Sequence, residues 1–436
     1  MQRGSILSVI DVGTDKCVTL IATTQPETHE IQVLGVSAVP TRGMRKSQIV
    51  DLEDVLGSMT ESVDAAERMA GVEVHSVSVS VSGSQIASQN SKGVVAVSAP
   101  TQEITAEDVS RVLEAARAVS LPSAREIMHV VPRDFAVDSQ AGIKDPVGMT
   151  GVRLEAEAHI ITAQTTSLKN LVKLVQDLGL ELDGFVFAGL ASAEVVLTET
   201  EKELGVVLVD IGAGSTSICA YVEGALTYSG VLPIGARHIT QDIALGCRLS
   251  LDSAEKIKLA LTHDQFFNMK PHSGESKEDF KKRQKEGDQL DLAELGLNES
   301  QEELSKRTIV EGIMMPRMKE MFSLIAKELQ SHKLLNQVPA GIVLAGGGAE
   351  TVGIVEIGKR TLNLPVRVGK PIELKGLIDD IQKPSFATSI GLLLYASKRS
   401  SGQAPQKVIR ISDMMKNIKL NQITGKIMQL IKSIIP

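Results

Sequence analysis

The sequence predicts an α/β protein built from two related lobes that face a common ligand. Residues 8–22 (SVIDVGTDKCVTLIA) and 207–222 (VLVDIGAGSTSICAYV) share one plan, in which an apolar strand, a turn with Asp and Gly, and a second apolar strand follow each other. Asp11 corresponds to Asp210, and a glycine follows two residues later in each turn. The chain of 436 residues also exceeds the usual size of a single hydrophobic core. Together these observations indicate two duplicated halves.

Composition and charge limit the class of function. A hydrophobic content of 43% is ordinary for a globular protein, and the net charge of −7 argues against nucleic acid as a partner. With no Trp, 3 Tyr and 8 Phe, the chain has few rings for stacking on bases or sugars. The three cysteines are far apart, which favours buried free thiols in a reducing compartment. Without a signal peptide or an apolar run of roughly 18 residues, we expect a cytoplasmic protein.

Turn and periodicity signals divide the chain into units. After a strand ending at Gly83, the order strand, helix, strand, strand indicates a compact insertion, because the segment HIITA then resumes the apolar core of the first lobe. Between His263 and Arg307 the sequence is polar, which favours a solvated and partly disordered insert over a catalytic role. The predicted units are a first-lobe core of residues 1–83 and 158–190, an inserted subdomain of 84–157, a second-lobe core of 191–235 and 339–396, an outer subdomain of 236–338, a flexible linker of 397–420 and an amphipathic helix of 421–436.

Glycine turns are the candidate ligand-binding elements. A glycine turn presents backbone N–H groups to phosphate oxygens, and a neighbouring carboxylate can hold a hydrated Mg²⁺. A third run, LAGGGA, follows a strand and lets the backbone approach a flat ligand. Each run alone is more often a simple tight turn, but the three together favour a ligand site. The candidate ligand-binding residues are Gly13, Thr14, Asp15, Lys16, Gly212, Ala213, Gly214, Ser215, Thr216, Gly346, Gly347 and Gly348, and the candidate metal ligands are Asp11 and Asp210.

Two phosphate turns followed by a glycine-rich turn resemble the actin, sugar-kinase and heat-shock ATPase superfamily. The resemblance implies an actin-like ATPase fold with ATP and Mg²⁺ as cofactors. The segment AEKIK places Glu255 and Lys258 one helical turn apart and resembles the helix that contacts adenosine in that superfamily. An ion pair worth a few tenths of a kcal/mol explains these two residues equally well. The segment PIGARHITQDIA resembles the stretch leading into that helix, with Gly235 as a candidate and Ala236 replacing a common glycine.

The place and strand order of the insertion resemble the SHS2-type subdomain of the FtsA family of bacterial cell-division proteins, and the basic turn TRGMRKSQIVD resembles that family as well. This resemblance covers essentially the whole chain. It implies an adaptor that binds the C-terminal tail of FtsZ in the outer subdomain, polymerises with itself, and contacts the next protomer or later division proteins through the insertion. It also implies a peripheral location on the cytoplasmic side of the inner membrane at the division site.

Two alternatives on the same fold remain open at this point. One is a pilus-assembly adaptor of the PilM type, which shares the insertion but is shorter. The other is a small-molecule kinase, which the scarcity of aromatic residues disfavours. Hydrolysis of ATP also remains open, because the crossover segment LASAEVV offers only Ser192 and Glu194 as polar side chains.

The last residues predict an amphipathic helix. Within an arc of about 100° it carries an apolar stripe of Ile423, Ile427, Leu430, Ile431 and Ile434. Its length of roughly 20 Å is too short to cross about 30 Å of hydrocarbon, but it suits the plane of an anionic membrane surface. From sequence alone, docking of this helix on the protein's own core is an equal alternative. The preceding linker and the family resemblance favour the membrane.

Overall fold

The structure is a computed structural model that describes residues 5–25, 30–97, 103–262, 264, 266, 276–292, 294–297, 304–376 and 381–400. Its first lobe is built on a six-stranded sheet. In spatial order the strands are Glu181–Phe187, Ser76–Val81, Ile6–Val12, Lys16–Thr24, Ile31–Pro40 and Lys375–Gly376. Helices Leu52–Ala70 and Thr165–Asp177 contribute apolar residues to the core of this lobe.

The second lobe repeats this design with five strands. In spatial order they are Val366–Val368, Gly341–Ala345, Val206–Ile211, Thr216–Val222 and Ala225–Leu232. In both lobes the strand that carries the aspartate is antiparallel to the strand after it and parallel to a strand from much later in the chain. The two halves therefore share one topology, and the predicted duplicated α/β fold is confirmed.

Two helices cross where the lobes meet. Helix Ala188–Val196 contacts the second-lobe sheet, whereas helix Ala387–Ser400 contacts the first-lobe sheet, and the two helices pack against each other. Their backbones touch at Gly391, since an ideal Cβ built there would lie 2.0 Å from the carbonyl oxygen of Ala191. Glycine at position 391 is thus a requirement of this close approach.

The inserted subdomain is a four-stranded sheet with one helix on it. The strands, in spatial order, are Ala87–Ala96, Arg153–Gln164, Arg125–Val137 and Gln140–Ile143, and the helix is Ala106–Arg117. Strand pairing continues to Gln164, beyond residue 157 at which the prediction ends the insertion, although Ile161 and Ala163 already belong to the first-lobe core. One long strand therefore serves both units.

A polar contact joins the inserted subdomain to the second lobe. His159 is buried there, with Nε2 2.8 Å from Ser229 Oγ and Nδ1 2.6 Å from Asn90 Oδ1. Ser88 Oγ donates to the Ser229 carbonyl at 2.6 Å, and Arg133 Nη2 donates to Thr227 Oγ1 at 3.2 Å. The insertion is therefore held to both lobes of the protein.

This contact makes stability sensitive to acid. Burial, with a smaller contribution from the charge of Arg133, lowers the pKa of His159 to about 3. Because the unfolded chain takes up this proton below about pH 6.5 and the folded chain does not, stability is lost as the pH falls from about 6.5 toward 3. Between pH 7 and pH 5 we expect His159 to account for a loss of about 2 kcal/mol.

Denaturant unfolding of His159→Gln at pH 7 and pH 5 measures this contribution. The variant is expected to be less stable than wild type at pH 7 but to lose about 2 kcal/mol less between the two pH values. The exposed His75 gives a matched control, since His75→Gln leaves the acid sensitivity in place. An unchanged acid sensitivity in His159→Gln would show that another group causes it.

The outer part of the second lobe is mainly helical. Its helices in the described residues are Arg237–Cys247, Leu251–Thr262, Lys277–Gly287 and Met315–Ser331, with a π-helical segment Thr308–Met314. The predicted solvated insert contains helix Lys277–Gly287, which has no buried residue and is capped by Ser276. This helix is exposed as expected, and it begins at Ser276, whose hydroxyl accepts a bond from the Asp279 N–H. Leu290 and Leu297 of the same stretch are buried in the second-lobe core, so the stretch is only partly solvated.

The remaining short elements complete the chain. They are strands Met44–Arg45, Gln48–Ile49, Gln289–Leu290 and Leu304–Ser305, helices Glu199–Leu204 and Ile354–Leu362, and 3₁₀ segments Leu335–Gln337, Gly347–Glu350 and Pro384–Phe386. Cys17, Cys219 and Cys247 are buried free thiols, as predicted. Helix Ala387–Ser400 extends into the predicted linker, and residues 401–436, including the predicted amphipathic helix, lie outside the described residues. Within the described ranges no helix is both long and apolar enough to cross a membrane.

Candidate functional site

A cavity of about 380 Å³ lies where the two aspartate turns and the third glycine run come together. Each lobe contributes its turn at the same place in its sheet, so the duplicated topology brings distant segments to one cleft. The predicted residues that line it are Asp11, Gly13, Thr14, Asp15, Lys16, Asp210, Gly212, Ala213, Ser215, Glu255, Lys258, Gly346, Gly347 and Gly348.

Three predicted residues stand behind the cleft wall. Thr216 is fully buried, and its hydroxyl donates to the Ile234 carbonyl at 2.7 Å. Gly235 packs against the second turn, since a Cβ there would lie 2.5 Å from the carbonyl oxygens of Gly212 and Ala213. A Cβ at Gly214 would lie 2.6 Å from Thr14 Oγ1, so this glycine lets the two turns approach each other. These residues shape the turns from behind, and the neighbouring Ala236 lines the cleft instead of Gly235.

The two aspartate turns are closed by equivalent hydrogen bonds. The Gly13 N–H donates to the Lys16 carbonyl at 3.0 Å, and the Gly212 N–H donates to the Ser215 carbonyl at 2.9 Å. An ideal Cβ at Gly13 would lie 2.7 Å from the Lys16 carbonyl oxygen, which disfavours a side chain there, and a Cβ at Gly212 would make a tight contact of 3.1 Å with the Ser215 carbonyl oxygen. The repeated sequence plan therefore produces a repeated backbone, with one copy on each side of the cleft.

The third glycine run closes against the second aspartate. Gly346 has a φ of +78°, and a Cβ there would lie 2.3 Å from Asp210 Oδ1 and 2.5 Å from the Ile211 carbonyl. A Cβ at Gly348 would lie 2.3 Å from Ile211 Cγ2. Glycine is required at both positions so that this backbone can reach the end of the neighbouring strand.

Asp210 is a buried carboxyl group held by two hydroxyls. Ser192 Oγ donates to its Oδ2 at 2.5 Å, and Thr388 Oγ1 donates to the same oxygen at 3.1 Å. Burial raises the pKa of Asp210 to about 6, and the negative charge of Asp11 adds to the rise despite these hydrogen bonds. The group is therefore mainly ionised at pH 7 and becomes protonated as the pH falls through about 6.

Asp11 faces the same cleft from the first lobe. Its Oδ1 accepts from Ser80 Oγ at 2.6 Å, and burial raises its pKa despite this bond and the nearby Lys16. Burial lowers the pKa of Lys16, whose Nζ lies 3.8 Å from the centre of the Phe386 ring. Two carboxylates that disfavour each other's charge form a donor set suited to a divalent cation.

This donor set fits magnesium with incomplete protein coordination. Mg²⁺ prefers one or two carboxylates and fills its octahedron with water and phosphate oxygens. In the described part of the chain no group of three or more His, Cys, Asp and Glu side chains is arranged to hold a metal ion. Asp11 and Asp210 would thus hold the cation together with water and a phosphorylated ligand.

Glu255 and Lys258 lie in the cleft and also form an ion pair. Lys258 Nζ donates to Glu255 Oε2 at 2.8 Å and to Thr240 Oγ1 at 2.9 Å. Two exposed leucines of the same helix, Leu251 and Leu259, line the cleft beside them. Both interpretations of the AEKIK segment are therefore compatible with the geometry, since the pair presents a polar edge next to an apolar surface.

Sequence reasoning missed many residues of the wall. They are Val12, Ser47, Ser80, Ser82, Ala188, Ser217, Ala236, Arg237, Thr240, Leu251, Asp252, Leu259, Glu350, Ser385 and Thr388. The sequence could have indicated four of these residues, because they lie close to Gly235 or in the helix of Glu255 and Lys258. They are Arg237, Thr240, Leu251 and Leu259. Nothing near Ser47, Ser80 or Thr388 in the sequence indicates a ligand site.

Solved structures define the class of this fold. The PilM–PilN type IV pilus biogenesis complex superposes with a TM-score of 0.60 at 15% identity, covering 90% of this chain and 98% of the other. MreB5 of Spiroplasma citri bound to ADP superposes with a TM-score of 0.50 at 13% identity, covering 91% and 98%. With its duplicated sheets and its cleft between the lobes, the chain is a protein of the actin-like ATPase fold.

Sequence comparisons give the family within this class. The family model "SHS2 domain inserted in FTSA" matches residues 83–162, and the model "Cell division protein FtsA" matches residues 207–391. FtsA of Pseudomonas aeruginosa is 36% identical over 401 residues, covering 92% of this chain and 91% of its own. FtsA of Escherichia coli K12 is 36% identical over 396 residues, covering 89% and 90%. The chain belongs to the FtsA family of actin-like cell-division proteins.

Proposed function

We propose that this chain binds ATP with Mg²⁺ in the cleft and tethers the FtsZ ring to the inner face of the cytoplasmic membrane. The observation that carries the nucleotide part is the meeting of two equivalent aspartate turns and a glycine run at one cavity of about 380 Å³. Structures of the same fold have been solved with ADP and with AMPPNP, both of MreB5 from Spiroplasma citri. These ligands agree with the chemistry of the two turns.

Each part of ATP has candidate partners in the cleft. The N–H groups of the two turns and the hydroxyls of Thr14 and Ser215 suit the phosphates, while Mg²⁺ would lie between the phosphates and the two aspartates. The polar edge of Glu255 and Lys258 suits the ribose, and the backbone at Gly346–Gly348 suits the flat adenine.

The crossover helix supports binding rather than rapid turnover. Ala188 is the residue of this helix that lines the cleft. Ser192 is fully buried on Asp210, and Glu194 pairs with Lys398 and Lys202. The two polar side chains of this helix are thus committed to structural contacts. The proposed function is therefore nucleotide binding, with hydrolysis left out of it.

Partners of the proposed adaptor follow from its family and its units. The family name of the relatives supports a role in cell division, and the actin-like fold supports self-assembly into a polymer. The outer subdomain, about residues 236–338, is the proposed receptor for the C-terminal tail of FtsZ. The inserted subdomain is the proposed contact for the next protomer or for later proteins of the divisome.

Asp210→Asn tests the nucleotide and magnesium part. Asparagine keeps the shape of the side chain and an oxygen that accepts from Ser192, but it removes the negative charge. We expect Mg²⁺ affinity in the ATP complex to fall about 100-fold or more, since even indirect metal partners contribute 10- to 100-fold. Titration of fluorescent ATP with Mg²⁺ and with EDTA measures the effect. Equal magnesium dependence in variant and wild type would rule out Asp210 as a ligand.

The tether is tested on the last sixteen residues, 421–436, in the full-length protein. Ile427→Glu with Leu430→Glu places two charges in the centre of the predicted apolar stripe. Each buried aliphatic side chain contributes roughly 1.5 to 3 kcal/mol, so most binding by so short a helix should be lost. We expect the double variant to bind ATP but no longer to sediment with anionic liposomes, even though a polymer strengthens weak anchors by avidity.

A matched control places the same charges off the stripe. Gln429→Glu with Ser433→Glu adds two carboxylates to the polar face and should weaken liposome binding much less, through charge repulsion alone. If both pairs of substitutions act equally, the effect is electrostatic and the apolar stripe is not the anchor. If the stripe variant unfolds, the helix belongs to the core of the protein.

A further inference from the structure

A short basic hairpin, Met44–Ile49, reaches the point where the two aspartate turns meet. At its tip, the Ser47 N–H donates to Thr14 Oγ1 of the first turn at 2.9 Å. Ser47 Oγ lies 2.7 Å from Ser215 Oγ of the second turn and 3.3 Å from Thr14 Oγ1. One residue of the hairpin thus bonds to a hydroxyl from each lobe.

The hairpin tip is a tight two-residue turn. Lys46 and Ser47 have φ values of 50° and 57°, in the left-handed region that residues other than glycine rarely adopt. Positive φ at both central residues is the geometry of the type I′ turn that commonly closes a two-residue hairpin loop. Here it brings the Lys46 Cα to 2.9 Å from the site of a Cβ at Gly214. The hairpin is therefore a second reason for glycine at position 214.

The hairpin has space on both sides. One side is the main cleft, which Ser47 lines, and the other is a separate cavity of about 170 Å³. Ser47 also lines that second cavity, together with Met44, Gln48 and Ile49 of the hairpin and Gln85 behind them. Ser47 therefore lines both cavities, and its carbonyl accepts from Gln85 Nε2 at 3.2 Å on the side of the second one. The second cavity offers the tip space to move into.

We propose that Ser47 recognises the terminal phosphate of a nucleoside triphosphate, a proposal that rests on the proposed binding of ATP. With its adenosine beside Glu255 and the third glycine run and its magnesium at Asp11 and Asp210, ATP would extend its terminal phosphate toward Thr14 and Ser215, which line the same cavity. A diphosphate is one phosphate shorter and leaves these two hydroxyls bonded to Ser47. The third phosphate takes their hydrogen bonds, accepts one from Ser47 Oγ, and moves the hairpin tip toward the second cavity.

Comparison of ATP and ADP affinities in two Ser47 variants tests this assignment. Ser47→Ala removes the hydroxyl, and Ser47→Gly removes it while relieving the left-handed backbone, so the fold is kept in at least one of them. We expect either change to lower ATP affinity about tenfold. In the ATP complex the variants lack the charge-assisted hydrogen bond from Ser47 Oγ to the phosphate, whereas without ATP they lack only weaker neutral hydrogen bonds to Thr14 and Ser215. ADP affinity is expected to stay within about twofold.

Ser84→Ala is the matched control, since Ser84 Oγ accepts a bond from Gln48 Nε2 at 3.0 Å outside the cleft. It should leave both affinities unchanged. An equal loss of ATP and ADP affinity in the Ser47 variants would assign Ser47 to holding the turns together and overturn the proposal, as would no loss of either. A wild-type protein that binds neither nucleotide would instead overturn the proposed nucleotide binding itself, and a preference for ATP retained in both variants would overturn only the role of Ser47.

Discussion

Gly346→Ala is expected to weaken nucleotide binding strongly while the protein remains folded. The new Cβ would lie 2.3 Å from Asp210 Oδ1 and 2.5 Å from the Ile211 carbonyl, and the backbone at this position has a φ of +78°. The third glycine run must therefore withdraw from the strand that carries Asp210, or the carboxyl group must leave its two hydroxyl partners. The first movement removes a wall of the cleft, and the second removes a proposed metal ligand.

The expected loss of ATP affinity is at least about 100-fold, equivalent to about 2.7 kcal/mol. Gly353→Ala is a close control, because Gly353 has a φ of +77° but a Cβ there would meet only Met315 Cε at 3.6 Å. Both variants carry the backbone penalty of alanine in the left-handed region, and Gly346→Ala alone disturbs the cleft. Calorimetric titration with ATP and thermal melting of both variants separate binding from folding. Similar ATP affinities in the two variants would contradict the assignment of this run.

Gly391→Ala is expected to destabilise the protein strongly, because the added methyl group lies where the two crossing helices touch. Its Cβ would lie 2.0 Å from the carbonyl oxygen of Ala191 and 2.3 Å from the carbonyl carbon, both of which are backbone atoms in a buried helix. Overpacking of this kind costs about 1 to 3 kcal/mol and occasionally more. We expect a loss near the upper end, because no flexible side chain can move aside.

Gly57→Ala is also a change from glycine to alanine, but it is expected to stabilise the protein. Gly57 lies inside helix Leu52–Ala70, and a Cβ there meets nothing within 4 Å. Alanine favours a helix by about 0.8 to 1 kcal/mol over glycine, so this variant should be more stable than wild type. Denaturant unfolding of both variants measures the contrast. Equal effects would mean that the two helices do not approach as closely at Gly391.

The sequence was sufficient for those parts of the site that one segment carries. Each aspartate turn is closed by a hydrogen bond between residues three apart, so the local residues determine its shape. Its repetition is therefore visible in the amino-acid sequence. Thr388 and Ser80 could not be found this way. They reach the two aspartates from remote elements, and their positions depend on how the sheet and the crossing helices pack.

Gly235 and Thr216 show a different limit. Both lie in predicted ligand segments, yet the structure places them behind the wall, because alternate residues of a strand point to opposite faces and because a close-packed glycine leaves its neighbour to line the cleft. The sequence identifies the segment, whereas the pairing of strands decides which of its side chains face the ligand. The amphipathic helix remains a prediction from its periodicity alone.

The crossing of the two helices at Gly391 restricts how the lobes can move. Because the Gly391 backbone already touches the Ala191 carbonyl, the two helices cannot move closer together at this point without a clash. A rotation displaces atoms in proportion to their distance from the axis. A small rotation of one lobe against the other about this point would therefore displace the outer parts of the lobes further than the residues beside Gly391.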